Sequence, residues 1–249
     1  MSARSLDEVL TVVDDVDGWM SSDQAARLYA AARATRAGDQ IVEIGSFRGR
    51  STIVLASAAP DGVTIVAIDP HAGNDRGPQE LSGFETEAAD DHRVFSANLA
   101  AAGVADRVRH LRAFSHRALI DVDGPIAVLY IDGAHRYAPA RADIRQWGAR
   151  VEACGTLLIH DSFSSVGVTL ALGRELLLGP RFRYVGRSRS LAEYRADLGG
   201  GLQARSINAL RQVAQLPWFA RNLGLKVVLA LHLGGVIKRL TGHTPEWPY

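Results

Sequence analysis

Cysteine is almost absent from this 249-residue chain, with Cys154 the single one. No internal disulfide can form, which excludes a disulfide-stapled secreted scaffold and fits a reducing compartment. Cys154 precedes Gly155 at the start of an apolar run, which predicts a buried, inert thiol. An excess of either charge is also missing. The 28 Lys and Arg stand against 27 Asp and Glu, a net charge of +1, so neither a nucleic-acid footprint nor an acidic tail is indicated. No run reaches the roughly 18 apolar residues of a membrane span. The first residues carry Asp7, Glu8, Asp14 and Asp15, which is wrong for a signal peptide. These absences together predict a soluble cytoplasmic protein. Internal repeats and low-complexity tracts are lacking too.

What is present is an ordinary globular composition, 47% hydrophobic and 22% charged, with ample length for a well-buried core. Strand-like apolar runs fall at 40–44, 63–68, 108–112, 126–131 and 156–159. Helical patterns fall between them at 49–58, 80–102, 138–150 and 166–178, and another at 22–36 precedes the first strand, capped by Ser21 or Ser22. This alternation predicts a parallel sheet covered on both faces. Segments 181–187 and 191–195, joined by Ser188-Arg189-Ser190, read as an antiparallel pair at the sheet edge.

Gly199-Gly200-Gly201 marks a boundary. It divides a domain at 1–198, with its N-terminal helix, from a helical extension at 199–249. The extension is helical in pattern over 204–240, interrupted near Pro217, and ends in an irregular tail, 244–249. Its apolar piece at 225–233, with Lys226, Lys238 and Arg239 around it, has three readings. It docks on the core or on a second subunit, forms a lid near the substrate, or anchors on a membrane surface. Docking makes a homodimer the preferred assembly.

The most informative stretch is Ile41-Val42-Glu43-Ile44-Gly45-Ser46-Phe47-Arg48-Gly49-Arg50. A short strand ends in an acid, turns through glycines and enters a helix, which is how a parallel sheet meets a nucleotide-type cofactor. Gly45 and Gly49 let the backbone approach a ligand closely. The spacing is Glu-x-Gly-x-x-x-Gly rather than Gly-x-Gly-x-x-Gly, so the pyrophosphate cradle of dinucleotide enzymes is missing. The second strand ends at Ile68-Asp69-Pro70, 26 residues after Glu43. A carboxylate there suits a ribose diol.

This pair of strand ends resembles the S-adenosylmethionine site of class I methyltransferases, over roughly residues 21–197. The resemblance implies a Rossmann-like α/β sheet of about seven strands, the last antiparallel, with helices on both faces. It also implies that Glu43, Gly45 and Ser46 line the amino-acid end of the cofactor and that Asp69 holds the ribose, flanked by Pro70 and His71. Ala113, Phe114 and Ser115 would then contact adenine.

The next two strand ends are Tyr130-Ile131-Asp132-Gly133-Ala134-His135 and Leu158-Ile159-His160-Asp161-Ser162. In the class I sheet they are neighbours, so Asp132 and Asp161 would face one crevice near the cofactor. Two close carboxylates repel unless a proton or cation lies between them, and a divalent ion answers this. Magnesium suits carboxylates, whereas His160 as a third ligand favours manganese or zinc. The Ile-Asp-Gly-Ala-His-x-Tyr pattern resembles small actinobacterial sugar O-methyltransferases of the macrolide-sugar and polysaccharide type, which implies His135 as general base beside a catalytic Asp132. Asp143 reads as a structural or solvated acid. Loop 71–83, with His71, Asp75 and Arg76, would shape substrate specificity.

The expectation is metal-assisted O-methylation of a sugar or glycosylated small molecule. A metal-independent small-molecule methyltransferase, a dinucleotide-dependent oxidoreductase and a non-catalytic cofactor-binding protein are the alternatives.

Overall fold

The molecule is described here from a computed structural model, over residues 4–73 and 85–231. Asp75, Arg76, the start of the helix expected at 80, its counterpart's continuation from 232 to 240 and the tail 244–249 lie outside the described residues.

Two helices, α1 (Leu6–Val13) and α2 (Ser22–Arg33), precede the sheet. Both start on a capping box, Ser5 with Glu8 and Ser21 with Gln24, which satisfies N–H groups that the helix itself cannot pair. The sheet and its covering helices then alternate: β1 (Gln40–Ile44), α3 (Arg50–Ala58), β2 (Thr64–Ile68), α4 (Glu85–Ala101), β3 (Val108–Leu111), the short α5 (Ser115–Ala118), β4 (Ile126–Ile131), α6 (Tyr137–Gly148), β5 (Val151–Ile159) and α7 (Val166–Glu175). The antiparallel pair β6 (Arg183–Ser188) and β7 (Leu191–Arg195) follows, then α8 (Leu202–Val213) and α9 (Leu216–Ala230).

The seven strands lie in the order β3-β2-β1-β4-β5-β7-β6. β1 to β5 run parallel, and β7 is antiparallel to both of its neighbours. From β1 the chain steps outward to β3 and then returns to place β4 beside β1. This reversal opens a crevice at the carboxyl ends of β1 and β4, where ligands bind in such sheets.

Successive strand residues face opposite sides, and each side has its own core. Val9, Leu28, Ile53, Leu55 and Phe95 pack on Ile41, Ile65 and Tyr130 on one side. On the other, Ile144, Trp147 and Leu172 pack on Val42, Leu129 and Leu157.

β5 corrects the reading of Cys154. The strand begins at Val151, and pairing with β4 shifts register between Ile126 and Val128. Cys154 sits in this irregularity with φ of +62° and is exposed, not buried. The apolar run that suggested burial lies past the bulge, where the strand rejoins the ladder.

Candidate functional site

Four residues one place beyond a strand end bring the site together. Gly45 N–H donates to Ile68 O at 2.8 Å, Asp69 N–H to Leu111 O at 3.2 Å, Asp132 N–H to Ile44 O at 2.7 Å and His160 N–H to Ile131 O at 2.9 Å. Each is held as an extension of the ladder, so the sheet itself positions these residues.

The glycine loop after β1 is clamped from several sides. Asp69 accepts backbone N–H bonds from Ser46, Phe47 and His71 at 3.0, 2.9 and 2.8 Å. His71 Nε2 stands 2.8 Å from Phe47 O. Arg48 pairs with the buried Asp91 of α4 at 2.7 Å and with Asp17, and the Phe47 ring lies 5.2 Å from that of Trp19. Gly45 must be glycine: its φ is +86°, and a Cβ would stand 2.1 Å from Asp132 O.

Glu43 is placed differently from its expected role. Its side chain is fully buried, accepts hydrogen bonds from the Ser51 and Thr52 hydroxyls in the first turn of α3, and is absent from the cavity wall. Burial outweighs those hydroxyls and pushes its carboxyl up to about 8, so the acid is neutral at neutral pH. Ser46 and Ala113 also lie outside the lining.

The cavity encloses about 670 Å³, a size suited to a cofactor with a small acceptor. Gly45, Asp69, Pro70, His71, Phe114 and Ser115 line one part, and Asp132, His135, His160 and Asp161 line another. Asp143 lines it as well, although its sequence context suggested only a structural or solvated acid. It is 4% exposed, accepts from Ser115 Oγ at 2.6 Å, and is raised by burial to about 6.

The four reactive side chains form one cluster. His160 Nδ1 lies 3.2 Å from Asp132 Oδ1 and 3.2 Å from Asp161 Oδ2, and His135 Nε2 lies 3.0 Å from Asp161 Oδ2. Tyr130 donates its hydroxyl to Asp132 Oδ2 at 2.8 Å. Burial opposes ionisation throughout, yet His160 and His135 hold Asp161 well below the usual carboxylate range. In return Asp132 and Asp161 hold His160 well above its ordinary value. His135 is raised, chiefly by Asp161, against its own burial. Asp132, His135 and Asp161 offer ligand atoms all within 4.8 Å of one another, a donor set that fits a divalent ion. His160 bridges the two carboxylates from one side of that set.

Backbone strain gathers around this cavity. Phe47, His71, Asp161 and Phe163 all have positive φ, a conformation concentrated where function over-determines the chain. The His135 segment is held just as closely from α7. Ser165 Oγ donates to His135 O at 3.2 Å, and a Cβ on Gly167 would stand 2.2 Å from the same oxygen.

Residues 42–162 match the family described as a methyltransferase domain. This segment is a methyltransferase domain of the S-adenosylmethionine-dependent class. Solved structures agree on the fold. The cofactor-bound Rv0187 protein from MTB superposes with a TM-score of 0.53 at 19% identity, covering 78% of this chain and 90% of that one. The O-methyltransferase TomG from Streptomyces achromogenes, in complex with SAM, gives 0.50 at 19%, covering 80% and 93%. An O-methyltransferase from Bacillus cereus in complex with SAH gives 0.50 at 18%, covering 76% and 88%.

The matched methyltransferase segment ends at 162, but the cavity wall does not. Ser164, Ser165, Val166, Leu223 and Lys226 complete it. The last two come from α9, whose Lys226 donates to Ser164 O at 3.0 Å and whose Asn222 donates to Phe163 O at 3.1 Å. No spacing rule in the sequence ties these distant residues to the site. Among the described residues, no helix is long and apolar enough to cross a membrane.

Proposed function

We propose that this methyltransferase transfers the methyl group to a hydroxyl oxygen of a small molecule, a sugar or glycoside, with a divalent ion at Asp132 and Asp161. The observation carrying this reading is the cluster of Asp132, His135, His160 and Asp161 within the cofactor cavity. The lining fits the cofactor: Asp69 offers a carboxylate for the ribose diol, and Phe114 and Ile68 offer apolar faces for a purine, with Ser115 and Asp143 at its edge. S-adenosylmethionine, when bound, supplies an electrophilic sulfonium methyl. Asp132 and Asp161 would hold a divalent ion, which would supply Lewis-acid lowering of an acceptor hydroxyl's pKa. Magnesium suits the two carboxylates, and the neighbouring imidazoles favour manganese.

His135 takes the acceptor proton. Asp161 orients its ring from 3.0 Å and stabilises the imidazolium that results. A general base acts deprotonated, and the carboxylates raise this imidazole. Turnover therefore falls as pH drops through a value above the ordinary histidine pKa of about 6.5. The surrounding walls position acceptor and donor in line, a large part of the acceleration of a direct displacement.

A second reading rests on His160. Its imidazolium, 3.2 Å from both carboxylates, neutralises them without an ion, which favours a metal-independent reaction with His135 as base.

The test is transfer of labelled methyl from S-adenosylmethionine to a panel of monosaccharides, oligosaccharides and phenols, with and without chelator. Loss of turnover in chelator, restored by magnesium or manganese, supports the metal reading. Full turnover in chelator transfers the proposal to the metal-independent one. His135→Gln lowers turnover about a hundredfold or more with cofactor affinity preserved; wild-type turnover in that variant removes His135 as base.

A further inference from the structure

The two C-terminal helices bury polar groups and expose apolar ones, although Trp218 and Phe219 of α9 also pack on the core. Surface helices ordinarily bury an apolar stripe and expose a polar one. Here the buried positions are Asn208, Gln212 and Asn222. They are bonded inward: Asn208 to Tyr184 N and Phe182 O, Gln212 to Leu176 O, Asn222 to Phe163 O. The outward face of α9 runs through Leu216, Pro217, Ala220, Leu223, Val227 and Leu231, all exposed. On α8, Leu202, Leu210 and Val213 are also exposed, at 79%, 67% and 43%. With the polar groups already committed to the core, this outer surface is built for a partner other than water.

Charge decides which partner. α8 and α9 carry Arg205, Arg211, Arg221 and Lys226 and no acid. The rest of the chain is therefore net acidic, since the whole carries only +1. A two-fold contact with a second copy would set this face against its own basic residues without acids to pair them. An anionic lipid surface supplies both needs: a negative headgroup layer for the basic residues and an apolar boundary for the leucines and valines.

We propose that the outer face of α8 and α9 docks in the plane of a membrane surface containing anionic lipid, without crossing it. Leu223 and Lys226 of the same helix line the cavity, so docking sets the cavity mouth beside the headgroups.

The experiment is co-sedimentation of the full chain with vesicles of phosphatidylcholine plus phosphatidylglycerol, and with phosphatidylcholine alone, at low and high salt. The chain pellets with the anionic vesicles, stays in solution with the neutral ones, and is released by salt. Ala220→Glu with Val227→Glu places two acids on the outer face away from the cavity and weakens pelleting by on the order of tenfold or more. Arg221→Gln removes one basic group with no change to the apolar face and weakens it about fivefold. Retained binding of S-adenosylhomocysteine shows that each variant is folded, and Arg221→Gln alone decides the matter if the double variant is not. A chain that stays in the supernatant with anionic vesicles at low salt overturns the proposal. So does a dimer in light scattering that Ala220→Glu with Val227→Glu splits while vesicles are ignored, which assigns the face to a second copy.

Discussion

Helix α7 controls the position of His135 at a single methyl group. A Cβ on Gly167 would meet His135 O at 2.2 Å, Tyr137 N at 2.7 Å and Arg136 C at 2.9 Å. All three are backbone atoms, so no side chain can swing away. Ordinary contact needs roughly 3.5 Å, which requires about 1 Å of movement by the segment that carries His135. Overpacking of this kind costs about 1–3 kcal/mol, and the helix-propensity gain of alanine returns at most about 1 kcal/mol. The loss in chemistry is larger, because a misplacement of about 1 Å can lower a rate on the order of a hundredfold. Gly173 supplies the control within the same helix: a Cβ there meets nothing within 4 Å. Gly173→Ala should stabilise the fold by up to about 1 kcal/mol and leave turnover unchanged. Urea unfolding gives the stabilities, single-turnover methyl transfer the rates, and calorimetry with S-adenosylhomocysteine the cofactor affinity. Gly167→Ala is expected to keep cofactor affinity while losing rate. A Gly167→Ala enzyme with wild-type stability and rate would refute the idea that this contact holds His135 in place.

Gly45→Ala combines a left-handed φ with a clash at 2.1 Å against Asp132 O; it should destabilise by about 3 kcal/mol or more and abolish binding of S-adenosylhomocysteine in calorimetry. Glu43 is raised to about 8 by burial, so the unfolded chain releases its proton at a lower pH than the native fold does, and stability declines as pH rises from the unfolded value through 8. Glu43→Gln removes that decline, and its urea-derived stability should gain on the wild type by on the order of 4 kcal/mol between pH 5 and pH 8; parallel curves would mean that Glu43 is ionised in the native state. Cys154 is exposed and should react with a disulfide reagent in the folded protein without loss of secondary structure, whereas protection until unfolding would contradict its placement on the bulge.

The sheet was legible because its strands are apolar runs bounded by turns. β1, β4 and β7 fall on the residues expected. The strand order with its reversal at β1/β4 agrees with what the resemblance to class I methyltransferases implied, since alternation with helices alone leaves the order open. The first helix escaped notice, although Ser5 and Glu8 form a capping box and Val9 and Val13 bury its inner face. Its acidic residues served only to exclude a signal peptide. The early start of β5 was hidden because a bulge interrupts the periodicity on which the reading depends. The residues that line the cavity were legible where they follow strand ends, as with Asp69, Asp132, His160 and Asp161, and His135 stands three residues beyond Asp132. Glu43 shows the limit of that rule. An acid at a strand end can point into the crevice or beneath it, and the hydroxyls of Ser51 and Thr52, which draw it beneath, carry no distinctive spacing. Asp143, Val166 and Lys226 were illegible as cavity residues for a different reason. Each reaches the cavity through tertiary packing of a helix, a long-range arrangement on which local pattern is silent.

The division between these two groups follows the construction of the molecule. Gly45, Asp69, Asp132 and His160 each donate an N–H to the last carbonyl of a neighbouring strand, so the sheet fixes them before any ligand arrives. Displacing any one of them breaks a ladder bond in the interior, which makes this part of the site costly to vary. The opposite wall is assembled from α7 and α9, beyond the matched methyltransferase segment. The α7 part is anchored by the buried Val168, Ala171 and Leu172, whereas α9 is joined by partly buried Trp218 and Phe219 and by side-chain bonds from Asn222 and Lys226 to backbone carbonyls. Each such bond contributes about 1 kcal/mol, so the α9 part of this wall can be remodelled at less cost than the sheet. If the proposed reading holds, chemistry common to many methyl transfers would belong on the first wall and discrimination among acceptors on the second. The acceptor of this enzyme is therefore to be sought by varying Leu223 and Val166, which shape the cavity, while the carboxylates and imidazoles are left untouched.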